Sequence, residues 1–208
     1  MDYDQLVENL ISQGQLKNSL LIEAFRNIKR EDFVLSEYKE FAGQDAPLPI
    51  GEGQTISQPW TVAFVLELLE PGPGQKVLDV GSGSGWTSAL LAFCVGKNGK
   101  VFAAERVSEL CEFGKKNISR YTFIEQGIVE IFCGDASQGL PEQAPFDRIL
   151  VSAAARELPE DLKKQLKIGG RLVIPVNNSI WLVVRRAENQ FEEREFYGFS
   201  FVPLIKDK

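Results

Sequence analysis

The glycine loop Gly81-Ser-Gly-Ser-Gly85 is the first feature of the sequence that could bind a ligand. It follows the apolar run Val77–Val80 and precedes a segment with helical spacing, which is the setting that gives such a loop its meaning. Glycines let backbone N–H groups approach a ligand closely, and a helix N-terminus favours a negative group. Trp86 stands where a dinucleotide-binding loop has its third glycine, so the spacing disfavours NAD. The loop predicts a nucleotide-like ligand at the start of a helix.

Acidic residues stand at the ends of the next two predicted strands. Glu105 lies roughly 20 residues past the loop, where a carboxylate typically accepts hydrogen bonds from ribose hydroxyls. Asp135 follows the third strand, where it could bond the exocyclic amine of an adenine or act only as a loop-forming aspartate. Because the carboxyl ends of parallel strands meet at one edge of a sheet, we expect both carboxylates to lie beside the glycine loop.

The elements that must position these residues follow from hydrophobic spacing. Apolar positions three to four apart predict a helical lead-in over residues 2–46, whereas prolines and glycines predict a loop over 46–53. Ser57 is a possible N-cap for a helix reaching Leu69, with Pro59 tolerated in its first turn. The predicted strands are Lys76–Val80, Lys100–Glu105, Ile128–Phe132, Asp147–Ser152 and Arg171–Val176, and the predicted helices are Trp86–Cys94, Ser108–Ser119 and Pro159–Leu166.

This alternation of strands and helices indicates an α/β fold with a Rossmann-like, doubly wound, mostly parallel sheet. Ile180–Arg186 and Phe191–Phe201 predict an antiparallel C-terminal hairpin, and the N-terminal helical segment precedes the sheet. With 208 residues the chain fits one domain. We divide it into an N-terminal helical and loop segment, 1–57, and a Rossmann-like cofactor-binding core, 58–208.

Composition excludes several classes of function. The net charge of -6 argues against a broad basic face, so we expect no nucleic-acid partner. The sequence shows no basic, apolar leader and no apolar run near the roughly 20 residues that cross a bilayer, so we expect a cytoplasmic protein without a membrane partner. The sequence contains no histidine, which excludes histidine-dependent triads and most zinc hydrolase sites.

The three cysteines, Cys94, Cys111 and Cys133, are odd in number and show no CxxC spacing. We therefore expect neither a disulfide nor a metal site. Their apolar or helical surroundings predict small buried residues.

Several short motifs, taken in order, resemble the protein-L-isoaspartate O-methyltransferases, a branch of the class I S-adenosylmethionine-dependent methyltransferases. The resemblance covers almost the whole chain. LPIGEGQTISQP, from Leu48 to Pro59, is far more specific than the glycine loop, which many methyltransferases share. The other motifs are Arg30-Glu-Asp-Phe-Val34, Val77–Trp86, Cys133-Gly-Asp, Ala144-Pro-Phe-Asp147, Val151-Ser-Ala-Ala154, Gln165-Leu, Gly169–Pro175 and Phe201-Val-Pro-Leu204.

The resemblance implies S-adenosylmethionine as cofactor and isoaspartyl or D-aspartyl residues of damaged proteins and peptides as substrates. Ser57 is implied as the active-site hydroxyl at the junction of cofactor and substrate, a role that can coexist with an N-cap. The implied cofactor contacts are Thr55, Ile56, Ser57, Asp79, Gly81, Ser82, Gly83, Glu105, Arg106, Asp135 and Ala136. The implied peptide contacts are Ser57, Val151, Ser152, Ala153 and Ala154.

The implied chemistry needs little acid–base help. An isoaspartyl carboxylate, with a reference pKa of about 4, is already ionised at neutral pH, so no strong general base is required. A chain without histidine is compatible with that reaction, and we expect it to act as a monomer.

Some positions depart from the family's pattern, and they keep alternatives open. Gly43 stands where an aromatic residue often precedes the acidic position of Asp45, Ser152 replaces a common threonine, and Trp86 replaces a common tyrosine. The sequence ends soon after Ile205, without the tail that contributes cofactor contacts in some members. The alternatives are a methyltransferase of the same fold with another acceptor, a cofactor-binding adaptor with weakened turnover, and a disfavoured NAD-dependent dehydrogenase.

Overall fold

The computed structural model describes residues 2–205 as helices wrapped around a central sheet. The strands are β1 (Leu48–Gly51), β2 (Gln54–Ile56), β3 (Lys76–Val80), β4 (Lys100–Glu105), β5 (Val129–Cys133), β6 (Phe146–Val151), β7 (Leu166–Val176), β8 (Ser179–Ala187) and β9 (Gln190–Tyr197). The helices are α1 (Tyr3–Ser12), α2 (Ser19–Asn27), α3 (Pro59–Leu69), α4 (Trp86–Val95), α5 (Ser108–Ile118) and α6 (Glu160–Lys164), joined by short 3-10 turns.

The main sheet has the strand order β5-β4-β3-β6-β7-β8-β9. Its first five strands run parallel, and β8 and β9 add an antiparallel hairpin, as the sequence predicted. The chain starts this sheet at β3 in the middle, builds outward through β4 and β5, and then returns to the other side of β3 with β6. Such a reversal of strand order opens a crevice at the carboxyl ends of the two strands beside it.

Alternating side chains of the strands feed two hydrophobic cores, one on each face of the sheet. Val77 of β3 belongs to the core that contains residues of α1 to α5, whereas the next residue, Leu78, belongs to the core that contains Leu162 of α6. This period of two is the expected geometry of a strand buried on both faces. Among residues 2–205, no helix combines the length and apolar character that a transmembrane span requires.

Several predicted boundaries differ from the structure, and three of them have a clear physical reason. The predicted loop over 46–53 contains β1 and part of a two-stranded hairpin with β2. The helix predicted over Pro159–Leu166 ends at Lys164, because Leu166 already pairs with Phe146 in the parallel ladder. The last strand ends at Tyr197 because Gly198, at φ +97°, turns the backbone there.

The predicted N-cap role of Ser57 is wrong. Helix α3 begins at Pro59, with Gln58 at the N-cap position and no side-chain cap from it. The carboxylate of Asp45, from outside the helix, caps it instead, because Asp45 Oδ1 accepts a hydrogen bond of 2.8 Å from the backbone N–H of Trp60. Proline in the first turn is confirmed. Ser57 therefore lies just outside the helix, with its side chain released from capping.

The expectation that the cysteines form no disulfide is also wrong. Cys111 of α5 and Cys133, the last residue of β5, are bonded, with their Cα atoms 5.8 Å apart. Helix α5 packs against β5, so the fold brings together two residues that are 22 positions apart in the chain. Chain spacing carries no signal of this proximity. Cys133 is exposed rather than buried, whereas Cys94 is buried and free as predicted.

Candidate active site

A cleft opens at the carboxyl ends of the central strands and gathers most of the predicted site. The predicted residues that line it are Thr55, Ile56, Ser57, Gly81, Ser82, Gly83, Glu105, Arg106, Asp135, Ala136, Ser152 and Ala153. They come from the ends of β2 and β4 and from the loops after β2, β3, β4, β5 and β6. Parallel strands thus bring together side chains that are far apart in sequence.

The glycine loop forms the floor of this cleft with its backbone. Gly81, Gly83 and Gly85 all have positive φ, at +80°, +50° and +86°, a region that other residues rarely adopt. The N–H groups of Gly81 and Ser82 both donate to the carbonyl of Ala104, at 2.9 and 3.0 Å, which ties the loop to β4. A side chain at Gly85 would meet Ile118 at 2.8 Å, so glycine also allows α4 and α5 to pack closely.

Asp79 lies beneath the loop, fully buried, and does not line the cleft. Its Oδ2 accepts hydrogen bonds from Thr87 Oγ1 at 2.8 Å and Ser88 Oγ at 2.6 Å, whereas Oδ1 has no hydrogen-bond partner among the described residues. Burial raises the pKa of Asp79 to about 6, the two hydroxyls oppose this shift, and Glu105 adds to it by repulsion. A buried acceptor without a partner, under a glycine-lined floor, fits a ligand that carries a cationic group.

Glu105 is held in a fixed orientation at the end of β4. Its Oε2 accepts the N–H of Gly83 and its Oε1 accepts the N–H of Val107, both at 2.9 Å. The side chain is 7% exposed and faces the cleft beside Arg106. Two backbone donors therefore aim one carboxylate at the place where the sequence predicted a ribose.

Asp135 has the loop-forming role and also lies at the cleft, where the sequence predicted a ligand contact. Its Oδ1 accepts the N–H of Ser137 at 2.8 Å, which makes it a loop-forming aspartate. The same residue lines the cleft together with Ala136. A structural role and a ligand contact are thus compatible at this position, and the adenine contact stays a prediction.

Thr55 and Ser57 lie where the cleft meets a second pocket. Both pockets share Thr55, Ser57, Ser152 and Val202 in their walls, and Gln58 and Thr61 line the second pocket alone. Ser57 is half-buried at this junction, and its backbone carbonyl is held by Arg30 Nη2 at 3.1 Å. The hydroxyls at this junction can contact two ligands at once.

The loop after β6 is only partly in the cleft. Ser152 and Ala153 line it, whereas Val151 is buried within the sheet and Ala154 faces away from both pockets. The backbone of Ala154 instead pairs with the C-terminal segment: its N–H donates to Val202 at 2.7 Å, and its carbonyl accepts from Leu204 at 2.8 Å.

Sequence reasoning missed several residues of the site. The segment Val202–Ile205 lines the cleft, although the sequence singled it out only as a motif of resemblance. Val107 and Leu110 add apolar surface near Glu105. Their apolar character gives no local signal of ligand contact. Trp86 also borders the cleft, but it is 1% exposed and packs edge-on against Tyr3 and Phe25.

The geometry describes a bipartite site. One part offers backbone donors and aimed carboxylates to a nucleoside-like ligand, and the other offers hydroxyls to a second molecule. An arrangement of this kind can hold a donor and an acceptor side by side, which is what group transfer needs.

Comparison with known proteins agrees with that reading. The family model described as protein-L-isoaspartate(D-aspartate) O-methyltransferase matches residues 1–208. A protein-L-isoaspartate O-methyltransferase of Methanopyrus kandleri is 42% identical over 99% of this chain and 92% of its own length. One of the same name from Flavobacterium psychrophilum is 45% identical over 99% of this chain and 94% of its own.

A solved structure agrees as well. The crystal structure of a beta-aspartate methyltransferase from Plasmodium falciparum, in complex with S-adenosyl-L-homocysteine, covers all of both chains with a TM-score of 0.90 and 28% identity. The predicted fold class is therefore confirmed. Because the family model matches residues 1–208, the chain belongs to the protein-L-isoaspartate(D-aspartate) O-methyltransferase family.

Proposed function

We propose that this chain is a carboxyl methyltransferase that uses S-adenosylmethionine to methylate L-isoaspartyl and D-aspartyl residues of damaged proteins and peptides, the first step of their repair. The observation that carries the proposal is the shared wall between the two pockets, in which Thr55, Ser57 and Ser152 face both. Membership of the family supports the identity of donor and acceptor. The full chain, residues 1–208, is proposed to act as one methyltransferase domain.

The proposed cofactor contacts divide by chemistry. The loop residues Gly81, Ser82 and Gly83 would hold the methionine part, and the Asp79 carboxylate, buried beneath them, would attract its ammonium group. Glu105 and Arg106 would contact the ribose region. Asp135 and Ala136 would contact the adenine, and Thr55, Ile56 and Ser57 would border the reacting end.

The acceptor would lie in the second pocket, against Ser57 and Ser152, with Ala153 in the adjoining wall of the cleft. When bound, S-adenosylmethionine would supply an electrophilic methyl group, which a nucleophile takes from the sulfonium with the thioether as the leaving group. The substrate carboxylate is ionised at neutral pH, so the chain's task is to orient it and exclude water rather than to remove a proton. The Ser57 hydroxyl can donate one hydrogen bond to that carboxylate.

The proposal is tested by incubating the protein with labelled S-adenosylmethionine and two peptides that differ only in an isoaspartyl or an aspartyl linkage. We expect a base-labile methyl ester on the isoaspartyl peptide alone. Equal labelling of both peptides, or of neither while the cofactor binds, would reject the proposed acceptor. Those outcomes would favour the alternatives of another acceptor and of an adaptor, respectively.

Ser57→Ala tests the role of the hydroxyl. We expect a lower kcat with nearly unchanged cofactor affinity, because the hydroxyl faces the acceptor while most cofactor contacts lie elsewhere. Steady-state kinetics and calorimetry separate the two quantities. Ser36→Ala, at an exposed serine of a 3-10 turn, is the control. An undiminished kcat for Ser57→Ala would remove this residue from the mechanism.

The proposed setting is a cytoplasmic monomer that binds neither nucleic acid nor membrane. The acidic net charge supports the part of this proposal that concerns nucleic acid, because it argues against a broad basic face. Light scattering at several protein concentrations tests the monomer, and a larger mass at micromolar concentration would contradict it.

A further inference from the structure

Arg30 is a cation in the interior of the protein, in the 3-10 turn Arg30–Phe33. Its side chain is fully buried, and its two terminal nitrogens donate to four backbone carbonyls. Nη1 reaches Ala42 at 3.2 Å and Gln44 at 3.0 Å. Nη2 reaches Ala46 at 2.7 Å and Ser57 at 3.1 Å. One planar group thus joins the loop 42–46 to the residue at the junction of the two pockets.

The guanidinium also contacts the cofactor side of the molecule. Its Cζ lies 5.5 Å from the ring centre of Trp86, the first residue of α4 after the glycine loop. Arg30 is therefore in contact with three segments: the loop 42–46, Ser57 and the start of α4. Of these three, only the segment that carries Ser57 borders the acceptor pocket.

Keeping a charge here is unfavourable by itself. Burial lowers the pKa of Arg30 to about 10, with opposing contributions from Tyr3 and Asp45, and Nε has no hydrogen-bond partner among the described residues. A well-packed apolar side chain often stabilises a core as well as a buried ion does. An apolar residue could not replace the four hydrogen bonds from Arg30 to backbone carbonyls, because these bonds need N–H donors in a fixed planar arrangement.

We propose that Arg30 is a positioning residue for the acceptor side, fixing the Ser57 peptide and the loop 42–46 in the geometry that presents the Ser57 hydroxyl to the substrate carboxylate. This inference rests on the proposed function, but its structural part can be measured without any turnover. Arg30 acts through Ser57 and contacts neither of the pockets itself.

Arg30→Lys is the decisive substitution, because it keeps the positive charge but replaces the fork by a single ammonium group. We expect kcat for an isoaspartyl peptide to fall about 100-fold, the effect of misplacing a group by about 1 Å. The dissociation constant for S-adenosylhomocysteine, measured by calorimetry, should stay unchanged. The matched control is Arg171→Lys, since Arg171 Nη1 holds the Leu68 carbonyl at 2.8 Å near the opposite end of α3. This control should retain wild-type kcat.

Hydrogen exchange supplies the readout that does not depend on turnover. In Arg30→Lys, the amides of residues 42–46 and 57–58 should exchange faster, while those of β3, β4 and β5 keep their protection. If Arg30→Lys does not fold, Arg30→Gln, which is neutral and keeps two donors, undergoes the same measurements.

The outcomes separate the two proposals. A wild-type kcat in Arg30→Lys, or equal losses of kcat and cofactor affinity, would overturn the positioning role. Unchanged exchange at 42–46 and 57–58 would overturn it too. A wild-type protein that methylates no peptide would reject the proposed function alone, because the exchange experiment would still decide whether Arg30 orders the Ser57 segment.

Discussion

The two parts of the site are held by different kinds of interaction. The cofactor side consists of loops that leave adjacent strands of the seven-stranded sheet, and groups of those strands anchor it: Gly81 and Ser82 both donate to the carbonyl of Ala104, and the side chain of Glu105 accepts from Gly83. The acceptor side, at Thr55–Ser57, follows a two-stranded hairpin outside that sheet. Side chains anchor it, with Arg30 on the Ser57 carbonyl and Asp45 on Trp60 N–H.

This difference predicts how each side responds to change. A side that is fixed by the sheet should lose function mainly when packing or the fold itself is disturbed. A side that single side chains hold in place should lose catalytic turnover after one substitution, while the protein still binds the cofactor. Four predictions test this contrast, in order of expected effect.

The largest effect is expected for Gly85→Ala on the cofactor side. The new Cβ would lie 2.8 Å from Ile118 Cδ1 and 2.9 Å from Gly114 O, in a left-handed backbone conformation. We expect the free energy of unfolding to fall by about 2–5 kcal/mol, together with cofactor affinity. Urea denaturation and calorimetry measure both. Gly74→Ala, also at positive φ but with no atom within 4 Å, is the control and should lose only about 1–2 kcal/mol.

The disulfide ties α5 to β5 just before Gly134 and Asp135. Cys133→Ser should lower the free energy of unfolding by about 3 kcal/mol, the value expected for a closed loop of this length. Denaturation curves with and without a thiol reductant should differ for the wild type and coincide for the variant. Cys94→Ala, which leaves the bond intact, should keep the response to reductant. A wild-type denaturation curve that is the same with and without reductant would contradict the disulfide.

Asp79 should make cofactor affinity depend on pH. Its pKa is raised to about 6, so it is protonated below that pH and loses the charge that would attract an ammonium group. Affinity should therefore weaken as pH falls through 6, by up to about tenfold per pH unit. For the ligand-free protein the sign is opposite, because a raised carboxyl pKa adds stability at low pH that is lost as pH rises through 6.

Asp79→Asn supplies the control for this titration. It removes the ionisable group while keeping an oxygen that can accept from Thr87 and Ser88. Calorimetric titrations between pH 5 and about 8 should show a flat affinity for the variant. The same slope in variant and wild type would assign the pH dependence to another group.

The smallest effect is expected for Asp45→Ala on the acceptor side. Removing the cap from Trp60 N–H should lower the free energy of unfolding by about 1 kcal/mol and raise KM for the peptide, with cofactor affinity intact. Asp2→Ala is the matched control, because Asp2 caps α1 through Gln5 N–H at 2.8 Å, far along the chain from the acceptor pocket. Equal KM values in the two variants would show that the cap at Trp60 has no part in peptide binding.

Local sequence patterns predicted the sheet and most of the residues that line the cleft beside it. The strand, loop and helix around Gly81–Gly85 are contiguous in the chain, and Glu105 and Asp135 follow their strands directly, so each was visible within a short window. Because these strands pair in parallel, the residues at their carboxyl ends lie at the same edge of the sheet. Some predicted boundaries were wrong because they depend on distant pairing. The end of α6, for example, depends on the pairing of Leu166 with Phe146, which lies outside the short stretch of sequence around the helix.

What the sequence determined by itself is the order of strands and helices, the family and the residues at the strand ends, because these depend on short-range periodicity and motifs. The tertiary structure alone decided that Cys111 meets Cys133, that Asp45 rather than Ser57 caps α3, and that Arg30 holds the Ser57 carbonyl 27 positions away. Tertiary packing brings the two residues of each contact together. The number of residues between them in the sequence does not predict that they meet.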